Sequence, residues 1–82
     1  MKITAIYDNG GETLDRFTII TDQPEYDANE TPNLFMALGM SMDGDGYSQF
    51  SSAIAGSHLG KRVHFEDLSA NTQNHIVERI FK

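Results

Sequence analysis

The chain predicts an α+β domain: a small antiparallel sheet, made of an N-terminal hairpin plus one or two further strands, with one C-terminal amphipathic helix packed on it. Two β-branched and aromatic runs, Lys2 to Tyr7 and Arg16 to Thr21, flank Asp8-Asn9-Gly10-Gly11, the strongest turn signal present. Leu68, Thr72, Ile76 and Ile80 recur at four-residue steps near the C-terminus, the spacing of one helix face. Eighty-two residues have room for one core, so 1–82 is read as a single domain.

In the first strand Ile3, Ala5 and Tyr7 alternate with Lys2, Thr4 and Ile6. A two-residue turn at Asn9-Gly10 would set Ile3 against Arg16 and Tyr7 against Glu12, wasting the apolar side. Sliding the pairing to Ile3–Ile19 and Ala5–Phe17 restores a continuous patch and implies a longer loop over about residues 8–14. Residues 22–33 hold four acids and both prolines and read as a solvated loop. For residues 34–40, Thr31-Pro32 and Gly39 would bound a short helix. The alternation of Leu34, Met36, Leu38 and Met40 favours a buried strand, for which the length is ordinary. Residues 41–60, rich in glycine and serine, read as a long loop pinned by Tyr47 and Phe50. Val63-His64-Phe65 is the expected last strand. Asp67 or Ser69 then caps the helix, whose apolar face Val77 and Phe81 widen, with Arg79 and Lys82 at its dipole's negative end.

The formal net charge is −6, and it is uneven. Residues 1–30 hold seven acids against Lys2 and Arg16, whereas residues 61–82 are slightly basic. Such a surface repels phosphate backbones, so direct nucleic-acid binding is not expected and a basic protein partner is. The absence of cysteine excludes a disulfide framework, a thiolate metal cluster and a thiol nucleophile. Met1 to Tyr7 lacks the build of a signal peptide, and no apolar run approaches the roughly 20 residues of a membrane span. The expectation is a cytoplasmic protein with no membrane contact.

Several motifs carry chemistry only in outline. In Ser41 to Ser52, Asp43, Asp45 and Gly46 fit a calcium loop, but Ser52 stands where the bidentate glutamate belongs, so a plain polar turn is expected. Ala55 to Arg62 echoes a phosphate loop with its first glycine and final hydroxyl replaced. His58, His64 and His75 fall in a loop, a strand and the polar side of the helix, with no ligand spacing between them. Met36, Met40 and Met42 fit core filling better than an adaptable surface. No cofactor, metal or catalytic residue is therefore assigned.

Five segments in order resemble a family of small uncharacterised proteins of phages, prophages and bacterial genomes. They are Tyr7-Asp8-Asn9-Gly10-Gly11, Asp15-Arg16-Phe17-Thr18, Ala37-Leu38-Gly39-Met40-Ser41, Gly46-Tyr47-Ser48-Gln49, and His58 to Leu68 followed by Gln73. The chain departs from that pattern at Met42-Asp43-Gly44-Asp45, where an asparagine-proline and proline-glutamine segment is typical, and at Ser69, where proline is. The resemblance implies a phage-encoded accessory protein and no catalytic residues.

The functional expectation is a non-enzymatic, acidic protein that acts by binding a host protein partner. A sharper version has it inhibit a nucleic-acid-handling protein by mimicking phosphate charge. The contact residues expected are Asp22, Glu25, Asp27 and Glu30 in the acidic loop, with Asp43, Asp45, Tyr47 and Gln49 in the polar one. The alternative is a small ligand-binding or enzymatic domain using the glycine-rich 41–62 stretch, with His58, Lys61, Arg62, Tyr47 and Gln49 around an anionic ligand.

Overall fold

The first four strands form a meander, each pairing with the next across a connecting loop. The computed structural model describes residues 1–41 and 48–82. Its strands are β1 (Ile3–Asp8), β2 (Phe17–Pro24), β3 (Phe35–Met40), β4 (Ser48–Ala53) and β5 (Lys61–Val63). The helix α1 (Ala70–Phe81) follows, and 3-10 turns occupy Ser57–Leu59 and Phe65–Asp67. The sheet is antiparallel throughout in the order β4-β3-β2-β1-β5, so the last strand returns to the far edge. The fold is the α+β arrangement expected. Residues 34–40 fall on the strand side of the choice left open, as β3.

The sheet buries both faces, and this corrects the register. Ile3 pairs with Thr21, Ala5 with Ile20 and Ile6 with Ile19, across an irregularity between Ile3 and Ala5. Pairing Ile3 with Ile19 and Ala5 with Phe17 presumes one apolar face and a regular β1. The irregularity instead turns Ile3 and Ile6 to one side, and Ala5 and Tyr7 to the other. On the first side Val63, Ile6, Ile19 and Leu38 form a row across four strands, roofed by Ile76 and Ile80 of α1. On the second side Ala5, Tyr7, Ile20 and Ala37 are covered in part by Leu59, from the connection between β4 and β5. The connecting loop of the hairpin is long, as expected, and closes where the Asn9 amide donates to the Arg16 carbonyl at 3.0 Å.

Three further expectations are revised. The stretch 41–60 is not one loop, because Ser48–Ala53 pairs residue for residue with β3. Ser48, Gln49, Ser51 and Ser52 hide that strand from a hydrophobicity pattern, since an edge strand needs little apolar content. The last strand is Lys61–Val63 rather than 63–65, and Phe65 lies in the following 3-10 turn. Ser69 is the helix cap, its hydroxyl accepting from the Thr72 amide at 3.2 Å. Gln73 pins the segment before it by donating to the carbonyls of Phe65 and Leu68 at 3.1 and 3.0 Å. Thr72, Ile76 and Ile80 are the buried face of α1, whereas Phe81 stays 52% exposed and does not widen it. Met40 fills core, Met36 is half-buried, and Met42 lies outside the described residues.

Candidate functional site

Strand direction decides which expected contact residues can meet. β2 ends and β3 begins at one end of the sheet, where Pro24 pairs with Phe35. Gln49 pairs with Gly39, four residues further along β3, or about 13 Å towards the opposite end. The acidic group and Gln49 are therefore not brought together. Asp43, Asp45 and Tyr47 lie outside the described residues.

At the acidic end the loop is a closed, internally braced hairpin. The Glu25 amide donates to the Leu34 carbonyl at 2.9 Å. Asp27 braces the turn, its carboxylate accepting from the amides of Asn29 and Thr31 at 3.1 and 3.0 Å and from the Thr31 hydroxyl at 2.7 Å. Those bonds to Thr31 are the chief reason its carboxyl is held below the usual range. Glu30 and Asn33 take left-handed backbone, with φ of 53° and 60°. Asp22 is tied to the first strand: its amide donates to the Lys2 carbonyl, and its carboxylate accepts from the Lys2 amide, both at 2.9 Å.

The four acids thus divide. Asp27 is spent on the loop and Asp22 is partly engaged. Among the described residues, the carboxylates of Glu25 and Glu30 make no hydrogen bond or ion pair. Both border a groove of about 460 Å³ whose apolar lining includes Tyr26, Pro32, Leu34 and Phe35. Tyr26 is 86% exposed. Reading the loop by charge alone passes over this ring, although a lone aromatic amid acids and prolines is itself a signal.

A second concavity, of about 470 Å³, lies at the other end between the β1–β2 loop and the entry to β5. His58 and Lys61 border it with Asp8, Asn9 and Glu12, so two of the five residues expected around an anionic ligand converge. Arg62 instead donates to the Thr4 carbonyl at 3.3 Å. Gln49 sits on the opposite edge strand, about 19 Å away in strand spacings. His75 is not on the polar side: it is half-buried, its Nε2 3.0 Å from the Ser48 hydroxyl. Among the described residues no group of three His, Asp or Glu side chains is placed to hold a metal ion.

Beside this second concavity, Arg16 forks onto Asp8, Nε to Oδ1 at 2.8 Å and Nη2 to Oδ2 at 3.0 Å. The Arg16 hydrogen bonds outweigh the opposing effect of burial, and with help from the Gly10 amide they lower the Asp8 pKa. A depressed folded-state pKa adds stability that is present above the unfolded value, near 3.9, and lost as pH falls through the folded one. Asp8→Asn is therefore expected to cost about 1 kcal/mol at pH 7, with the difference from wild type closing in acid, below the folded-state value of Asp8. Urea melts at neutral and acid pH measure it; a gap that persists in acid would mean the loss is not ionic.

No helix among the described residues is long and apolar enough to cross a membrane. Comparison with known protein families, curated proteins and solved structures found no match.

Proposed function

We propose that this chain is a non-enzymatic accessory protein, phage-encoded and working in the host cytoplasm, that binds a basic protein partner through the acidic end of its sheet. The observation that carries this reading is the pair of unengaged carboxylates, Glu25 and Glu30, held on a braced loop beside the exposed Tyr26. A braced loop loses little entropy on binding, and a net charge of −6 steers a cationic surface towards it. If the partner handles nucleic acid, these carboxylates occupy the place of phosphates in its groove. The site is narrower than the sequence implies, since Asp27 holds the loop together and Gln49 is remote.

The test is capture from bacterial lysate with a tagged protein, with and without nuclease, read by mass spectrometry. One dominant nuclease-resistant partner is expected. Its binding should fall steeply with added salt, and at least tenfold when Asp22, Glu25 and Glu30 are changed to lysine. Salt-insensitive capture, or capture unaffected by the reversal, would remove the acidic end from the interface. Capture of nothing would favour a second reading, in which the concavity bordered by His58 and Lys61 takes a small anionic ligand.

A further inference from the structure

We infer that the groove beside Tyr26 receives a lysine or arginine side chain carried on an extended, apolar segment of the partner. This rests on the protein-binding reading above and sharpens it, because a field alone needs no particular ring. The groove has two kinds of wall. Pro24, Pro32, Leu34 and Phe35 give it apolar surface, while Glu25 and Glu30 put two unengaged carboxylates on its border. Tyr26 adds an aromatic ring that is 86% exposed.

Charge complementarity selects a cation. The ring face and both carboxylates attract positive charge, and among the described residues no lysine or arginine borders the groove. The apolar wall then selects how that cation arrives. A bare metal ion would need several oxygen or nitrogen ligands, and no group of three His, Asp or Glu side chains is placed to supply them among the described residues. A cation on a hydrocarbon stem satisfies both walls, its methylenes lying on the prolines and Leu34 while its head meets Tyr26 and the carboxylates. The protein already stacks arginine on aromatic rings elsewhere: Arg79 lies 5.2 Å from the centre of Phe50, and Arg16 4.8 Å from that of Phe17. Over Tyr26 no such cation lies among the described residues.

The probe is a set of short blocked peptides, rich in proline and leucine, with a central arginine, lysine, citrulline or glutamate. Citrulline keeps the shape of arginine and removes its charge. Titration into the full chain, followed by NMR, is expected to move the Tyr26 ring and the Leu34 and Phe35 amides with the arginine and lysine peptides. The citrulline peptide should bind on the order of tenfold more weakly, and Tyr26→Ala and Glu30→Gln should each weaken the arginine peptide several-fold. Tyr26 is exposed, so its replacement leaves the fold intact, which the unchanged spectrum elsewhere verifies.

Equal binding of arginine and citrulline peptides would overturn the inference, as would shifts confined to other surfaces. Concentration-dependent shifts of the same signals without peptide would overturn it too, by assigning the groove to a second copy of the chain. A captured partner that binds Tyr26→Ala as tightly as wild type would overturn this site and leave the protein-binding reading standing. Charge-dependent peptide binding with no captured partner would support the site and count against that reading.

Discussion

Gly60→Ala is expected to destabilise the protein by about 3–5 kcal/mol, a melting-temperature loss of at least about 12 °C for a domain this small. Gly60 immediately precedes β5 and has a φ of 119°, a conformation that side-chain-bearing residues rarely adopt. A Cβ there would stand 2.5 Å from the Asp8 carbonyl oxygen, 2.6 Å from its carbon and 2.7 Å from the Asn9 Cα. All three are backbone atoms of the β1 end, so no side chain can swing aside. Relief requires moving β5 off β1, and β5 is only three residues long. Gly10→Ala supplies the control. Its φ is 75°, but a Cβ meets nothing within 4 Å, so it should lose only the conformational term of about 1 kcal/mol. Thermal melts of the two variants side by side settle the matter. Equal losses would mean that backbone conformation, not close approach, is what Gly60 supplies.

Gly60 also shows where sequence reading stops. A glycine between His58-Leu59 and Lys61-Arg62 is legible as a turn, but its contact partners, Asp8 and Asn9, lie far off in sequence at the end of β1 and no local pattern names them. The parts of the fold that were legible are those governed by local chemistry. The four-residue spacing of Thr72, Ile76 and Ile80 after a cap at Asp67 or Ser69 placed α1, and alternation placed β3. β4 was not legible because Ser48-Gln49-Phe50-Ser51-Ser52 owes its extended state to backbone pairing with β3 rather than to apolar side chains. The hairpin register failed for a related reason. Alternation assumes one buried side, and the backbone irregularity near Thr4 serves two.

The candidate site was legible as charge and not as geometry. Counting acids marks Asp22, Glu25, Asp27 and Glu30 alike, because composition cannot say whose carboxylate is already occupied. Asp27 looks free in the sequence and is consumed by Asn29 and Thr31, two and four residues ahead. That spacing is the recognisable mark of an aspartate serving its own turn. Tyr26 and Gln49 are separated by strand direction, a property of the assembled sheet.

Ile76→Ala is the second large effect expected, a loss of about 3–4 kcal/mol. Ile76 is fully buried between α1 and the sheet, in one cluster with Ile6, Ile19, Leu38 and Met40. Deleting its side chain removes contacts from both layers and leaves a cavity that strands held by their own ladders cannot close. The size of the loss matters for the helix in particular. Twelve residues are too few to stay helical alone in water, so α1 persists because its buried face is docked. Circular dichroism should therefore show helix and sheet signals of Ile76→Ala melting together at a lower temperature, rather than the helix fraying first. Phe81→Ala is the matched comparison: it deletes a larger side chain from the same helix, but one that is half in solvent, and should change stability by no more than about 0.5 kcal/mol. If the two variants melted alike, the docking of α1 would not depend on the face that carries Thr72, Ile76 and Ile80. The acidic groove should be untouched in both, because its walls come from the β2–β3 hairpin and not from the helix. Partner capture by folded Ile76→Ala at low temperature is accordingly expected to match wild type, which separates the stability of the scaffold from the chemistry of the site.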